Sequence, residues 1–150
     1  MIKVGIIGYG KMGKIRHSVT DAIKGVQVIS VYDSANIEAY IDIAETSDQI
    51  INNSEIDAIF ICTPNYLNKP LTIQSLKAGK HVFCEKPMAL NSADCLQMAE
   101  AADQSGKALQ IGHCIRFWPE YVQAKEIIDS EKFGKVLAAT FQRLSLTPTW

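Results

Sequence analysis

Apolar residues along this chain come in short continuous runs, and the stretches between them follow a helical period. Ile2-Lys3-Val4-Gly5-Ile6-Ile7 opens the chain; Val26–Tyr32, Ile56–Ile61, His81–Cys84 and Ala108–Ile111 follow. Runs of this length, bounded by turn residues, predict buried strands. Met12, Ile15, Val19, Ala22 and Ile23 recur as one helix face, and Gly25 fits the helix stop. A weaker helix is predicted over Ala35–Glu45 and a short helical turn over Ser47–Asn53. Asn68-Lys69-Pro70 reads as a helix start, since proline is tolerated in the first turn. That helix runs to Ala78 and stops at Gly79. Asn91 or Ser92 caps the next helix, with Asp94 favourable in its first turn, and it ends before Gly106. Pro119 opens a last helix, ending near Gly134.

Strand and helix alternating in units of this size predict an α/β domain of Rossmann type, a doubly wound parallel sheet with right-handed crossovers. Lys135–Leu146 breaks the rhythm. Val136, Ala138, Thr140 and Gln142 alternate with Leu137, Ala139, Phe141 and Arg143, which predicts a long strand with no helix after it. A bare edge of that length is a liability, so it is read as the first strand of an incomplete second α+β domain. The expected division is a Rossmann domain over 1–117, then a connecting helix and first strand of a truncated substrate or oligomerisation domain over 118–150. A homo-oligomer formed through the C-terminal strand is a possible partner arrangement.

Composition narrows the setting. A chain of 150 residues with 47% hydrophobic and 21% charged residues suits one soluble globular domain. The net charge of −1 gives no electrostatic reason for a nucleic-acid or anionic-membrane partner. No apolar run approaches a membrane span, and Met1-Ile2-Lys3 enters a strand with no basic leader before it. Cys62, Cys84, Cys95 and Cys114 form no Cys-x-x-Cys pair and no zinc-like spacing with His17, His81 and His113. The expectation is a cytoplasmic protein with reduced thiols and no metal.

The chemistry concentrates at strand ends. Gly8-Tyr9-Gly10-Lys11-Met12-Gly13 follows the first strand and opens the first helix. In a Gly-x-Gly-x-x-Gly loop the first glycine allows the tight turn. The second admits pyrophosphate to the backbone, and the third packs helix on strand. Phosphate then sits on free N–H groups at the helix N-terminus. Asp33 lies 25 residues after Gly8, at the end of the second strand, where a carboxylate accepts from the adenosine ribose hydroxyls. A 2′-phosphate there meets a like charge, worth roughly 4 kcal/mol at about 4 Å and an effective dielectric near 20. Ser34-Ala35-Asn36-Ile37-Glu38 offers no Lys or Arg in compensation, so NAD is expected over NADP.

Cys62, Thr63, Pro64 and Asn65 end the third strand. Thr63 and Asn65 can bond ribose or nicotinamide, and plain turn chemistry explains the same residues. Glu85-Lys86-Pro87 follows the fourth strand, and in a parallel sheet all these ends face one crevice. Lys86 is the catalytic candidate. Oxidising an alcohol needs a base for the hydroxyl proton, and a lysine serves when burial and a nearby positive ring lower its proton affinity. Glu85 can orient Lys86 or contact ribose. His113 and Arg116 are weaker candidates; Arg116-Phe117-Trp118-Pro119 is read as an anchor for the crossing into the second domain.

Together these residues resemble the glucose–fructose oxidoreductase, inositol dehydrogenase and rhizopine-catabolism (Gfo/Idh/MocA) family. The resemblance is carried by the glycine loop with His17 four residues on, by Cys62-Thr63-Pro64-Asn65 and by Gly79-Lys80-His81-Val82-Phe83-Cys84-Glu85-Lys86-Pro87. His113, Arg116-Phe117 and Gly134-Lys135-Val136 extend it. It implies an NAD(P)-dependent oxidoreductase acting on a small sugar, cyclitol or polyol. Lys86 matches the family's catalytic lysine, in a lysine–proline bond that is often cis. The family commonly has a histidine where Asn68 stands, so Asn68 is read as an altered cofactor contact, with Ser34 and Arg116 beside the loop residues. A second catalytic motif, an Asp and a His on a helix of the second domain, lies outside this chain. The 150 residues alone are therefore expected to bind NAD and to turn over slowly or not at all.

Two other readings compete. One is a non-catalytic NAD-binding sensor or oligomerisation module. The other is a methyltransferase, which also joins a glycine-rich turn to an acidic residue after the second strand but has no use for Glu-Lys-Pro.

Overall fold

The computed structural model describes residues 1–142 and 144. Six strands form one parallel sheet: β1 (Ile2–Ile7), β2 (Val26–Tyr32), β3 (Asp42–Ile43), β4 (Ala58–Ile61), β5 (His81–Cys84) and β6 (Leu109–Ile111), in the order β3-β2-β1-β4-β5-β6. Helices α1 (Lys11–Asp21), α2 (Ser47–Asn52), α3 (Asn68–Lys77) and α4 (Ser92–Ser105) connect them. This is the doubly wound Rossmann order, with strand succession reversing between β1 and β4. Among the described residues no helix is long and apolar enough to cross a membrane.

The apolar runs are buried on both faces, as a parallel sheet requires. Along β1 the side chains alternate, so Val4 and Ile6 join one cluster with Tyr9, Val28 and Val31. Ile7 joins the other, with Ile50, Ile51, Ile56, Ile59, Ile61, Leu76, Val82 and Met98. Helix ends follow ordinary capping chemistry. Thr46 accepts from the Gln49 N–H at α2, and Asn91 accepts from the Asp94 N–H at α4. Gly106 closes α4 in the left-handed region. The Lys80 ammonium is buried and donates to the carbonyls of Asn53 (2.6 Å) and Ile56 (2.7 Å), tying the start of β5 to the turn after α2. Burial lowers its proton affinity below the usual lysine range.

Three expectations are corrected. Ala35–Glu45 is not a helix. Ile37, Ala39 and Ile41 alternate with period two and lean on the Val4–Val31 cluster. Asp42–Ile43 pairs with Ser30 and Val31 as an edge strand, fixed by the Ser30 hydroxyl donating to Asp42 at 2.7 Å. Next, the apolar stripe of α1 is not its buried face. Met12, Ile15, Val19 and Ile23 are 37–52% exposed, while Gly13 and Thr20 are buried. The inward face is held by polar contacts and close backbone approach.

The third correction concerns the end of the chain. The molecule divides into two compact units, Met1–His113 and Cys114–Trp150. The second carries a 3-10 turn (Cys114–Phe117) and α5 (Pro119–Asp129), with Trp118 edge-on to Tyr121 at 6.2 Å. Helix α5 stops before the Gly134 expected of it, because Glu131 turns into the left-handed region at φ 50°. The strand read over Lys135–Leu146 is not formed over residues 135–142 and 144; Arg143, Ser145 and Leu146 lie outside the described residues. A strand exists only when its backbone is paired, and among the described residues this alternating segment joins no ladder.

Leu76 is wholly buried in α3 against the sheet. Leu76→Ala is expected to destabilise the chain by about 2–5 kcal/mol. Urea unfolding checks this: the midpoint falls while the slope is unchanged.

Candidate functional site

The three central strands end level. Ile7 pairs with Ile61, and Ile61 with Cys84. Gly8, Cys62 and Glu85 therefore leave the sheet side by side, and two strand spacings separate Gly8 from Glu85, roughly 10 Å. The glycine loop, Thr-Pro-Asn and Glu-Lys-Pro thus share one edge at the point where strand order reverses.

The glycines of the loop are required for different reasons. Gly8 has φ +92°, and a Cβ there meets the Cys62 carbonyl carbon at 2.7 Å. A Cβ on Gly13 falls 2.2 Å from the Gly8 carbonyl oxygen. Gly10 differs: its φ is −72°, and a Cβ there meets nothing within 4 Å. The fold itself does not require a glycine at position 10, and the space beside it is open. Gly10 caps α1 with no side-chain bond, and the first turn holds no acidic residue. Lys11 and Met12 supply backbone N–H groups there with exposed side chains. Uncapped N–H groups beneath an open glycine fit a pyrophosphate.

Asp33 is tied to this loop. The Tyr9 N–H donates to its Oδ2 at 2.7 Å and the Ala35 N–H to its Oδ1 at 2.9 Å. Each carboxylate oxygen keeps a further lone pair, enough to accept ribose hydroxyls. Ser34 beside it is exposed. Tyr9, Lys14, Glu38, Ala39 and Tyr40 line a neighbouring cavity of about 420 Å³. The buried Tyr9 hydroxyl bonds His17 Nδ1 at 2.6 Å. Burial first, and the Asp21 carboxylate second, raise its pKa above the usual tyrosine value.

At the other end of the site, the Lys86 side chain is exposed and the Lys86–Pro87 bond is cis. Its neighbour Glu85 is buried. Glu85 Oε1 accepts from Arg16 Nε at 2.7 Å, and Oε2 accepts from the Lys86 N–H at 3.3 Å. The Arg16 guanidinium also lies 4.8 Å from the Phe83 ring centroid. Sequence reasoning missed Arg16. Its only trace is position: one turn after Gly13, on the face that meets the sheet. Asn68, read as a cofactor contact, is buried beneath Glu-Lys-Pro with its amide directed at backbone carbonyls. Thr63 donates to Asn68 Oδ1 at 3.5 Å, while Pro64 and Asn65 are exposed. Arg116 lies in the turn of the second unit, exposed. Burial, with Glu85 as the next contributor, pushes the Cys62 thiol up to about 12. Burial pushes Cys84 to about 11.

The profile of the Gfo/Idh/MocA family, an oxidoreductase family with an NAD-binding Rossmann fold, matches residues 2–113. The chain belongs to this family. Inositol 2-dehydrogenase of Salmonella typhimurium is 34% identical over 147 residues, covering 91% of this chain and 44% of that protein. The 2,7-anhydro-N-acetylneuraminate hydratase of Escherichia coli is 30% identical over 148 residues, 95% of this chain and 40% of that one. The structure of scyllo-inositol dehydrogenase from Lactobacillus casei with bound NAD(H) and scyllo-inositol matches at a TM-score of 0.82 and 28% identity. It covers 89% of this chain and 42% of that one. The chain thus spans about two fifths of the length of these relatives.

Within this family fold, the open space at Gly10 separates binding from folding. Gly10→Ala is expected to leave the melting temperature within about 2 °C, a change below roughly 1 kcal/mol, while weakening NADH binding at least about tenfold, near 1.4 kcal/mol. Gly13→Ala is expected to disturb the fold itself. Fluorescence titration with NADH beside thermal melts separates the two.

The thiols give a pH expectation. A folded pKa raised above the unfolded value, near 8.5, means both thiols stay protonated in the native state. Their contribution to stability is full below that value and is lost as pH rises toward 11–12. At pH 8 iodoacetamide is expected to label the exposed Cys114 and to spare Cys62 and Cys84, as read by peptide mass.

Proposed function

We propose that this chain is the cofactor-binding part of an NAD-dependent dehydrogenase that oxidises a CH–OH group of a sugar, cyclitol or related polyol, with Lys86 as general acid/base. The observation that supports it most is the joining of an open Gly10 loop and an exposed Lys86 at one sheet edge, level across three strands. The relatives named as inositol dehydrogenases support the substrate class.

NAD, when bound, supplies the hydride acceptor. The N-terminal turn of α1 binds its pyrophosphate through free N–H groups, and Asp33 accepts from the adenosine ribose. That carboxylate opposes a 2′-phosphate, which favours NAD over NADP. Lys86 Nζ takes the hydroxyl proton as the hydride leaves carbon, so a C–H and an O–H bond break and a C=O bond forms. In the reverse direction the same ammonium returns the proton. Glu85, bonded to Arg16 and to the Lys86 N–H, holds the backbone that carries the lysine.

A second reading follows from the hydratase-named relative. It keeps the NAD site and Lys86 but ends in addition of water with no net redox change. Accumulation of NADH distinguishes the two.

The test has two arms. NADH at about 100 times its dissociation constant adds roughly 2.7 kcal/mol and is expected to raise the melting temperature of the 150-residue chain by several degrees, with NADPH raising it less. In a chain extended to the relatives' length, with myo-inositol as probe substrate, Lys86→Ala is expected to lower kcat by roughly 100-fold or more. Equal shifts with the two nucleotides overturn the NAD preference. Undiminished turnover of Lys86→Ala overturns the acid/base role.

A further inference from the structure

We propose that Asn68 is the positioning residue for Lys86: one buried carboxamide grips the backbone on both sides of it. Asn68 is 1% exposed and is the first residue of α3. Its Nδ2 donates to the Glu85 carbonyl at 3.1 Å and to the Pro87 carbonyl at 2.8 Å. Those carbonyls flank Lys86 directly. Two carbonyl oxygens can only accept, so the nitrogen must face them, and the amide orientation is set by the network. Its Oδ1 accepts from Thr63 at 3.5 Å, so every polar atom of the side chain is in use.

The grip has a firm base. Helix α3 buries Thr72, Ser75 and Leu76 one and two turns further on, so Asn68 is mounted on a packed helix. Glu85 holds the same segment by a different route, through Arg16 on α1. The Lys86 side chain, between these two holds, remains exposed. A base that must meet a hydroxyl at hydrogen-bond distance loses rate with displacements of about 1 Å. Fixing the two neighbouring carbonyls limits that displacement without touching the ammonium.

This inference rests on Lys86 facing the nicotinamide, and the experiment separates the two claims. The 150-residue chain is reductively methylated with ¹³C-formaldehyde, and the Lys86 signal is assigned by its loss in Lys86→Arg. In the parent chain, NAD⁺ is expected to move the Lys86 signal. Asn68→Leu keeps a similar volume and removes both donors. It is expected to hold the NAD⁺ dissociation constant within about threefold, under 1 kcal/mol, while the movement shrinks by about half or more and the signal broadens. Asn68→His restores one N–H donor and is expected to recover most of the movement.

Full movement in Asn68→Leu overturns the proposal. An equal loss of NAD⁺ affinity overturns it too, by making Asn68 a binding residue. Failure of both Asn68 variants to fold overturns it in favour of a purely structural role. No movement in the parent chain, with NAD⁺ bound, removes the reading of Lys86 and this inference with it.

Discussion

The approach of α1 to the end of β1 governs the rest of this sheet edge. With a Cβ on Gly13 only 2.2 Å from the Gly8 carbonyl oxygen, helix and strand touch backbone to backbone. That distance puts the free N–H groups of the first turn directly behind the glycine loop. It also decides which face of α1 can turn inward. A bulky apolar side chain at Gly13 has no room, so the inward face is made of a glycine, of Thr20 bonded to the Arg16 carbonyl, and of an arginine long enough to reach Glu85. The contact that builds the cofactor loop therefore also sets Arg16 against the Glu-Lys-Pro segment.

This explains what was legible in the sequence and what was not. Strands β1, β2 and β5 were readable because a short apolar run bounded by turns carries its own signature. Ile2–Ile7, Val26–Tyr32 and His81–Cys84 keep their read bounds. Gly8 and Gly13 were readable because each answers a local steric demand, whereas Gly10 meets none within the protein and was readable only as part of the motif. The face of α1 was misread because periodicity says that apolar residues share a side, and is silent on which side meets the sheet. Ala35–Glu45 was misread by taking a period of two for one near four. Arg16 and Glu85 are 69 residues apart, and a bond between two polar residues at that separation leaves no pattern in either neighbourhood. The backbone partners of Asn68 were illegible for the same reason: position along the chain put it near the crevice, and only the fold shows that its amide points at the Glu85 and Pro87 carbonyls.

The two ends of the site are built on opposite plans. Around Gly10 the backbone is bare: no side-chain cap, no acidic residue in the first turn, nothing within 4 Å of where a Cβ would stand. An anion entering there gains N–H donors without displacing a protein partner. Around Lys86 the backbone is held by Asn68 and by Glu85, and the lysine side chain stays exposed. Binding a phosphate calls for unoccupied donors, whereas moving a proton calls for a fixed point of attachment.

A reason for the polar hold can be found in the sheet. Through Cys84 the backbone of β5 is bonded on both sides: the Gly112 N–H donates to the Cys84 carbonyl, and the Glu85 N–H donates to the Ile61 carbonyl. Past that point β6 has ended at Ile111, and β4 has turned away through Thr63 and Pro64. The carbonyls of Glu85 and Pro87 are then beyond the ladder. A buried carbonyl without a donor costs free energy comparable to a lost hydrogen bond. Apolar packing at position 68 would take the amide donor from both, leaving the Glu85 carbonyl only the Cys84 thiol at 3.5 Å, and a single donor would serve one of them. A side-chain amide carries two hydrogens on one nitrogen, and in this chain both find a carbonyl. The strand thus runs out of partners where Lys86 leaves the sheet, and one asparagine replaces the missing strand without covering the lysine.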